Sequence, residues 1–247
     1  MKTIAALIIG DEILSGKRQD KHLSKVIEAL KARGLSLTQA LYLGDEPERI
    51  VATLKDSFAT DHLVFSFGGI GATPDDYTRQ CAAAALGVAL APHPEAVAAM
   101  AAKPGFELTP NRLKMAEFPV GSRIIPNPYN QIAAFSCGDH HFLPGFPEMA
   151  WPMMEWVLDT HYAHLFHPAP QAEETIVIHE AGESTLIDAM NKVLADFPGV
   201  KLSSLPQHLP AGRIIELSIR GDPAQVPGAM AQMQRDVHNL GYSFDVK

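Results

Sequence analysis

A chain of 247 residues with 47% apolar and 19% charged residues has room for one large domain or two smaller ones and is too apolar to be wholly disordered. Its 20 Lys and Arg against 28 Asp and Glu leave a formal charge of −8 with no basic cluster, which argues against a nucleic-acid partner. An anion can be held only locally, by backbone amides, a helix end or a metal.

Residues 4–9 are continuously apolar and stop at Gly10-Asp11-Glu12 without a small-residue cleavage site. They read as a buried parallel strand rather than a signal peptide. Residues 21–32 carry Leu23, Val26, Ile27 and Leu30 at helical spacing, with Gly34 closing the helix. A strand is expected at 35–43, and Pro47 opens a helix whose inner face is Ile50, Val51, Leu54 and Phe58. Residues 62–67 form a third strand, and a helix is expected from Pro74 to Leu86. Residues 92–102 and 109–117 look helical. Residues 132–137 and 140–143 look like a hairpin around Gly138-Asp139, followed by a helix from Pro147 to about His161. This alternation implies an α/β domain, a mostly parallel sheet covered on both faces.

The Pro-containing segment 164–173 reads as a linker. Beyond it the order strand, helix, strand, strand, helix, strand predicts a smaller α+β domain of the split-βαβ type. The expected domains are residues 1–165 and 172–247. No stretch is long and apolar enough to span a membrane. Cys81 and Cys137 lack metal-ligand spacing and read as buried thiols of a reducing, cytoplasmic compartment.

Three segments carry chemistry. After the third strand stand Gly68, Gly69, Ile70 and Gly71, then Thr73, Pro74, Asp75 and Asp76. Glycines let backbone approach a bulky anion, and an open α/β sheet binds ligands beyond the carboxyl ends of its strands. The turn lacks both the Walker Gly-Lys-Ser/Thr and the dinucleotide G-x-G-x-x-G spacing. Thr73 and Asp76 match a capping box, while a second carboxylate could hold a divalent cation against phosphates, making Asp75 and Asp76 the candidate metal ligands. After the first strand, Asp11, Glu12 and Ser15 lie in a loop that adjacent strand ends would bring to the same place. Pro144 and Gly145, with Glu148 in the first turn of the next helix, form a third edge. His161, His164 and His167 recur every third residue but suit a helix C-terminus as well as a metal. His140 and His141, on a strand, point to opposite faces. Met149, Trp151, Met153, Met154 and Trp156 read as packing between domains or subunits.

Taken together, these segments resemble the molybdopterin-binding fold shared by MogA, MoaB and MoeA, and most of all the N-terminal region of the competence/damage-inducible CinA family. Gly10, Glu12, Ile13, Leu14 and Gly16 match its first loop. Gly68, Gly69, Gly71, Thr73, Asp75, Asp76 and Thr78 match G-G-x-G-x-T-x-D-D-x-T, and Leu143, Pro144, Gly145 and Pro147 match the third loop, with the acid one place early at Glu148. The resemblance implies a three-layer α/β/α domain and a homo-oligomer. It implies an enzyme that hydrolyses ADP-ribose-like dinucleotides, using Mg²⁺, Mn²⁺ or Co²⁺ on Asp75, Asp76 or Glu12, with Asp76 the essential acid. It also admits a non-catalytic nucleotide- or pterin-binding module, or a molybdopterin adenylyltransferase of molybdenum cofactor biosynthesis. Two departures stand out. Residues 127–135, from Asn127, lack the family's Gly and Pro pair, so the loop expected across the ligand differs. The chain ends at Lys247 without an amidohydrolase domain, so nicotinamide-nucleotide deamidation is not expected.

Overall fold

Ile4–Ile9 is buried along its whole length, as a strand covered on both faces must be. It forms β1, the start of a first compact unit, Met1–Phe166; a second unit, His167–Lys247, follows. The computed structural model describes residues 2–103, 105, 107–166, 172–210 and 212–247.

In the first unit the chain continues through α1 (Asp11–Leu14), α2 (His22–Lys31), β2 (Gln39–Leu43), α3 (Pro47–Phe58) and β3 (Leu63–Phe67). Then come α4 (Thr78–Leu86), β4 (Leu90–Pro92), α5 (Pro94–Ala101), α6 (Pro110–Leu113), β5 (Glu117–Pro119), β6 (Arg123–Ile125), β7 (Ala134–Cys137), β8 (His140–Leu143) and α7 (Pro147–His161). The main sheet has the order β2-β1-β3-β8-β7-β6. Its first four strands are parallel, and β7 and β6 run antiparallel to their neighbours. The chain leaves β1 for β2 on one side and returns to β3 on the other, so β1 and β3 flank a topological switch point. β4 and β5 make a separate two-stranded sheet.

Several expectations need correction. α4 begins at Thr78, not Pro74, because Asp76 closes a free-standing turn on Thr73 instead of capping a helix. The expected helix at 109–117 is split into α6, a 3₁₀ turn and β5. Met153 and Met154 are fully buried in the core of the first unit, with Met149, Trp151 and Trp156 packed against that core, so the residues read as interface packing serve this unit's own interior. Cys81 and Cys137 are buried, and burial pushes their thiols up to about 11 and about 12.

At the far end of β8 from the loop beyond Leu143, Asp139 is a clasp. Lys2 donates to its Oδ2, and the Tyr162 hydroxyl donates to its Oδ1 at 2.6 Å. The buried His141 bonds Tyr162 Oη at 2.9 Å and Ser136 Oγ at 2.8 Å, while His140 turns to the other face and bonds Ser57 Oγ at 2.7 Å.

The second unit consists of β9 (Ala172–His179), α8 (Glu183–Asp196), β10 (Val200–Leu209), β11 (Gly212–Gly221), α9 (Val226–Asn239) and β12 (Phe244–Val246). Its sheet is antiparallel, in the order β10-β11-β9-β12, the split-βαβ arrangement. Leu186 and Val193 of α8 and Met230 and Met233 of α9 bury against Ile176, Ile215 and Leu217 of that sheet. Of the expected linker, residues 167–171 lie outside the described residues, His167 among them. Leu165 ends a 3₁₀ turn and Ala172 already opens β9. Among the described residues no helix is long and apolar enough to cross a membrane.

Candidate functional site

The parallel strands end side by side, and the loops beyond them enclose a cavity of about 690 Å³. Residues 68–73 follow β3, Gly10, Glu12 and Ile13 follow β1, Asp45 follows β2, and residues 144–149 follow β8. Gly68 bonds from its N to Leu143 O at 3.0 Å, which pulls the β3 and β8 loops together. It adopts φ +100°, and a Cβ there would lie 2.2 Å from Ile9 O. Gly69 adopts φ +68°, and its Cβ would lie 2.3 Å from Thr78 Oγ1. Only glycine fits either position.

The carbonyls of this turn are tied back toward α4. Gly68 O accepts from Thr78 Oγ1 at 3.0 Å, Gly69 O from Thr78 N at 2.9 Å, and Gly71 O from Arg79 Nη2 at 2.6 Å. In a planar trans peptide the N–H points opposite the C=O. The amides of Gly69, Ile70 and Ala72 therefore face away from α4. Among the described residues neither these amides nor that of Gly71 has an acceptor. A run of unpaired donors on a cavity wall is a receptor for anionic oxygens.

Asp76 braces the turn: its Oδ2 accepts from Thr73 N at 2.8 Å and from the Thr73 hydroxyl. Asp75 beside it is exposed and also lines the cavity. Glu12 and Glu148 line it as expected; Asp11 and Ser15 do not. Asp11 instead exchanges bonds with Asp45, from Asp11 N to Asp45 Oδ2 at 2.9 Å and from Asp45 N to Asp11 Oδ1 at 3.1 Å, which joins the loops after β1 and β2. Asn127 lines the cavity with its side chain committed to its own loop, donating to Ile132 O and accepting from Tyr129 N, each at 3.0 Å.

Four ionisable lining residues were not anticipated from the sequence: Arg18, Lys21, His22 and Asp45. Burial pushes the Asp45 carboxyl up, and the nearby Asp11, Glu12 and Asp75 add to it. Burial likewise holds the His22 imidazole below its ordinary range. That ring stacks on Phe67 with centroids 4.5 Å apart, and its Nε2 bonds Gly145 O at 3.2 Å, which fastens α2 to the third loop. His22 aside, the ionisable lining is then Glu12, Asp45, Asp75, Asp76 and Glu148 against Arg18 and Lys21. Among the described residues no group of three or more His, Cys, Asp or Glu is arranged to hold a metal ion. His161 meets Trp156 edge-on at 5.3 Å.

Comparison with known proteins gives a consistent picture. The family model described as "Probable molybdopterin binding domain" matches residues 5–164. A CinA-like protein of Geobacter sp. (strain M21) is 30% identical over 207 residues, covering 81% of this chain and 50% of the relative. One from Anaeromyxobacter sp. (strain K) is 34% identical over 163 residues, 63% of this chain and 40% of the relative. The chain thus spans half or less of the length of these curated relatives. A crystal structure of the protein CinA from Thermoplasma acidophilum is 28% identical, with a TM-score of 0.58, covering 64% of this chain and 98% of that one.

Proposed function

The chain belongs to the probable molybdopterin binding domain family, and from that premise we propose that its cavity binds a phosphorylated nucleotide or pterin and hydrolyses the diphosphate of ADP-ribose-like dinucleotides. The observation that carries this reading is the set of unpaired amides at residues 69–72 beside open carboxylates. The amides take the diphosphate oxygens. Water attacks the adenylyl phosphorus, the bridging P–O bond breaks, and AMP and ribose 5-phosphate leave. Glu12, on the adjoining loop, is assigned the proton of that water. Asp76 holds the turn and Asp75 offers its carboxylate to a cation.

Five carboxylates against two cations make the lining negative at neutral pH, so a bare diphosphate would be repelled. The carboxylates suit a divalent ion of the Mg²⁺, Mn²⁺ or Co²⁺ type that keeps its waters and enters with the phosphates, since such ions need only one or two protein carboxylates. Bound there, the ion would neutralise charge developing on the phosphate oxygens. The test is AMP release from ADP-ribose by the purified protein in a screen of these three metals; no turnover with any of them removes the hydrolase.

A second reading, a non-catalytic nucleotide- or pterin-binding module, draws on the altered loop at residues 127–135, where the Asn127 side chain is committed to Ile132 O and Tyr129 N. Calorimetry giving tight ADP-ribose binding with the nucleotide recovered intact would favour it.

A further inference from the structure

The cavity lining is not all polar. Met115, Ile132, Ala133 and Met149 belong to it, as does Phe146, which is 55% exposed. Leaving so much of a phenyl ring in water forgoes burial that would stabilise the fold, and among the described residues no other ring stacks on it.

The backbone beneath this ring is fixed. Phe146 O accepts from Met149 N at 3.0 Å and from Ala150 N at 2.9 Å, and Pro147 follows as the first residue of α7. On the other side Gly145 O is held by the buried His22. Gly145 itself abuts the phosphate turn: a Cβ on it would lie 3.5 Å from Gly68 Cα. An aromatic side chain on a fixed backbone thus lines the same cavity as the unpaired amides, and the thioethers of Met115 and Met149 line it too. This combination suits a flat π-system.

We propose that Phe146 is the stacking platform for a planar heteroaromatic ring, a nucleobase or a pterin, carried by the ligand whose phosphates lie on residues 69–72. The inference rests on the phosphate-binding reading above and narrows it. The cavity selects phosphate esters that bear such a ring over sugar phosphates and inorganic pyrophosphate, and Phe146 determines that specificity.

The test is calorimetry with Mg²⁺ on the full chain, comparing wild type, Phe146→Ala and Phe146→Tyr against ADP-ribose, a pterin phosphate, ribose 5-phosphate and inorganic pyrophosphate. Phe146→Ala should weaken whichever ring-bearing ligand the wild type binds by roughly 5- to 100-fold, the range for loss of one base–aromatic stack. Pyrophosphate binding should stay within about twofold, and Phe146→Tyr should restore ring binding. The ADP-ribose and pterin arms tell the two ring sources apart. Equal losses for pyrophosphate and ADP-ribose, or an alanine variant binding ADP-ribose as wild type does, overturn the platform. A wild type that binds none of the four overturns the phosphate reading, and the platform with it. Wild-type binding of pyrophosphate, together with ring-bearing ligands whose affinity does not respond to Phe146→Ala, sinks the platform alone. Because the ring is largely exposed, the variant should melt within a degree or two of wild type.

Discussion

Replacing Arg79 with methionine tests what holds the anion-binding turn in shape. The guanidinium is only 2% exposed and serves three main-chain carbonyls: Gly71 O at 2.6 Å, Glu117 O at 3.2 Å and Lys114 O. Among the described residues no carboxylate pairs with it directly, and its Nε is buried without a partner. A buried acceptor left unmade costs about 1–3 kcal/mol. Three such losses are partly offset because methionine is spared the desolvation that a buried cation suffers. The net expectation is a destabilisation of ~3 kcal/mol, read by urea unfolding at pH 7 as a lower midpoint. Arg79→Lys should recover only part of this, since an ammonium has no planar fork to span three carbonyls. The loss should extend to pyrophosphate affinity, because the Gly71 peptide sets the direction of the Ala72 amide. Arg79→Met within 1 kcal/mol of wild type would refute the reasoning, as the carbonyls would then be held by something else.

Three further outcomes are expected. Gly68→Ala should destabilise the fold by ~2 kcal/mol or more through its positive φ and the Ile9 carbonyl, a loss that a thermal melt would register and that a wild-type Tm would contradict. Asp76→Ala should lower stability by ~1 kcal/mol through loss of the Thr73 anchor, whereas Asp75→Ala should leave the melt unchanged; both should abolish AMP release, and full activity would remove Asp75 from the cation site in the one case and Asp76 as the brace of the anion-binding turn in the other. Burial holds His140 at about 4 and His141 at about 3, against about 6.5 in an unfolded chain. The unfolded state therefore takes up protons that the folded state refuses, so this contribution is intact above about pH 6.5 and is lost as pH falls toward 4. Unfolding free energies at pH 7, 6, 5 and 4.5 should fall steadily, and His140→Gln should flatten that slope; an unchanged slope would show that other groups set it.

The three loops of the cavity were legible because β1 and β3 are mostly apolar runs that end at glycine with acids close behind, because β8 runs into Pro144-Gly145 ahead of a helix, and because parallel strands put their loops on one edge. Where α4 starts was not legible. Thr73 and Asp76 can close a free turn or cap a helix with the same local bond, and only the Thr78 bonds to Gly68 O and Gly69 O decide it. Arg18 and Asp45 carry no local signal, and Lys21 falls at the start of an expected helix; each reaches the cavity through sheet order that no local spacing encodes. His22 sits on the helix face expected to pack, and its bond to Gly145 spans 123 positions. β4, β5 and β6 have three residues each, too short for a period to register. Met149 reads in the sequence as interface packing along with its neighbours; that it packs against this unit's own core and also lines the cavity depends on its place in the first turn of α7.

The Asp139 clasp makes the first unit a loop closed on itself. One carboxylate receives a lysine from the beginning of the segment and a tyrosine from its end, so the entry and exit of the chain meet at one point. Such a cassette is suited to insertion within another polypeptide, or to having its ends joined and a new opening cut elsewhere, without redrawing the sheet. It also means that fraying from either end loosens the same anchor, so the two edges of the segment come undone together.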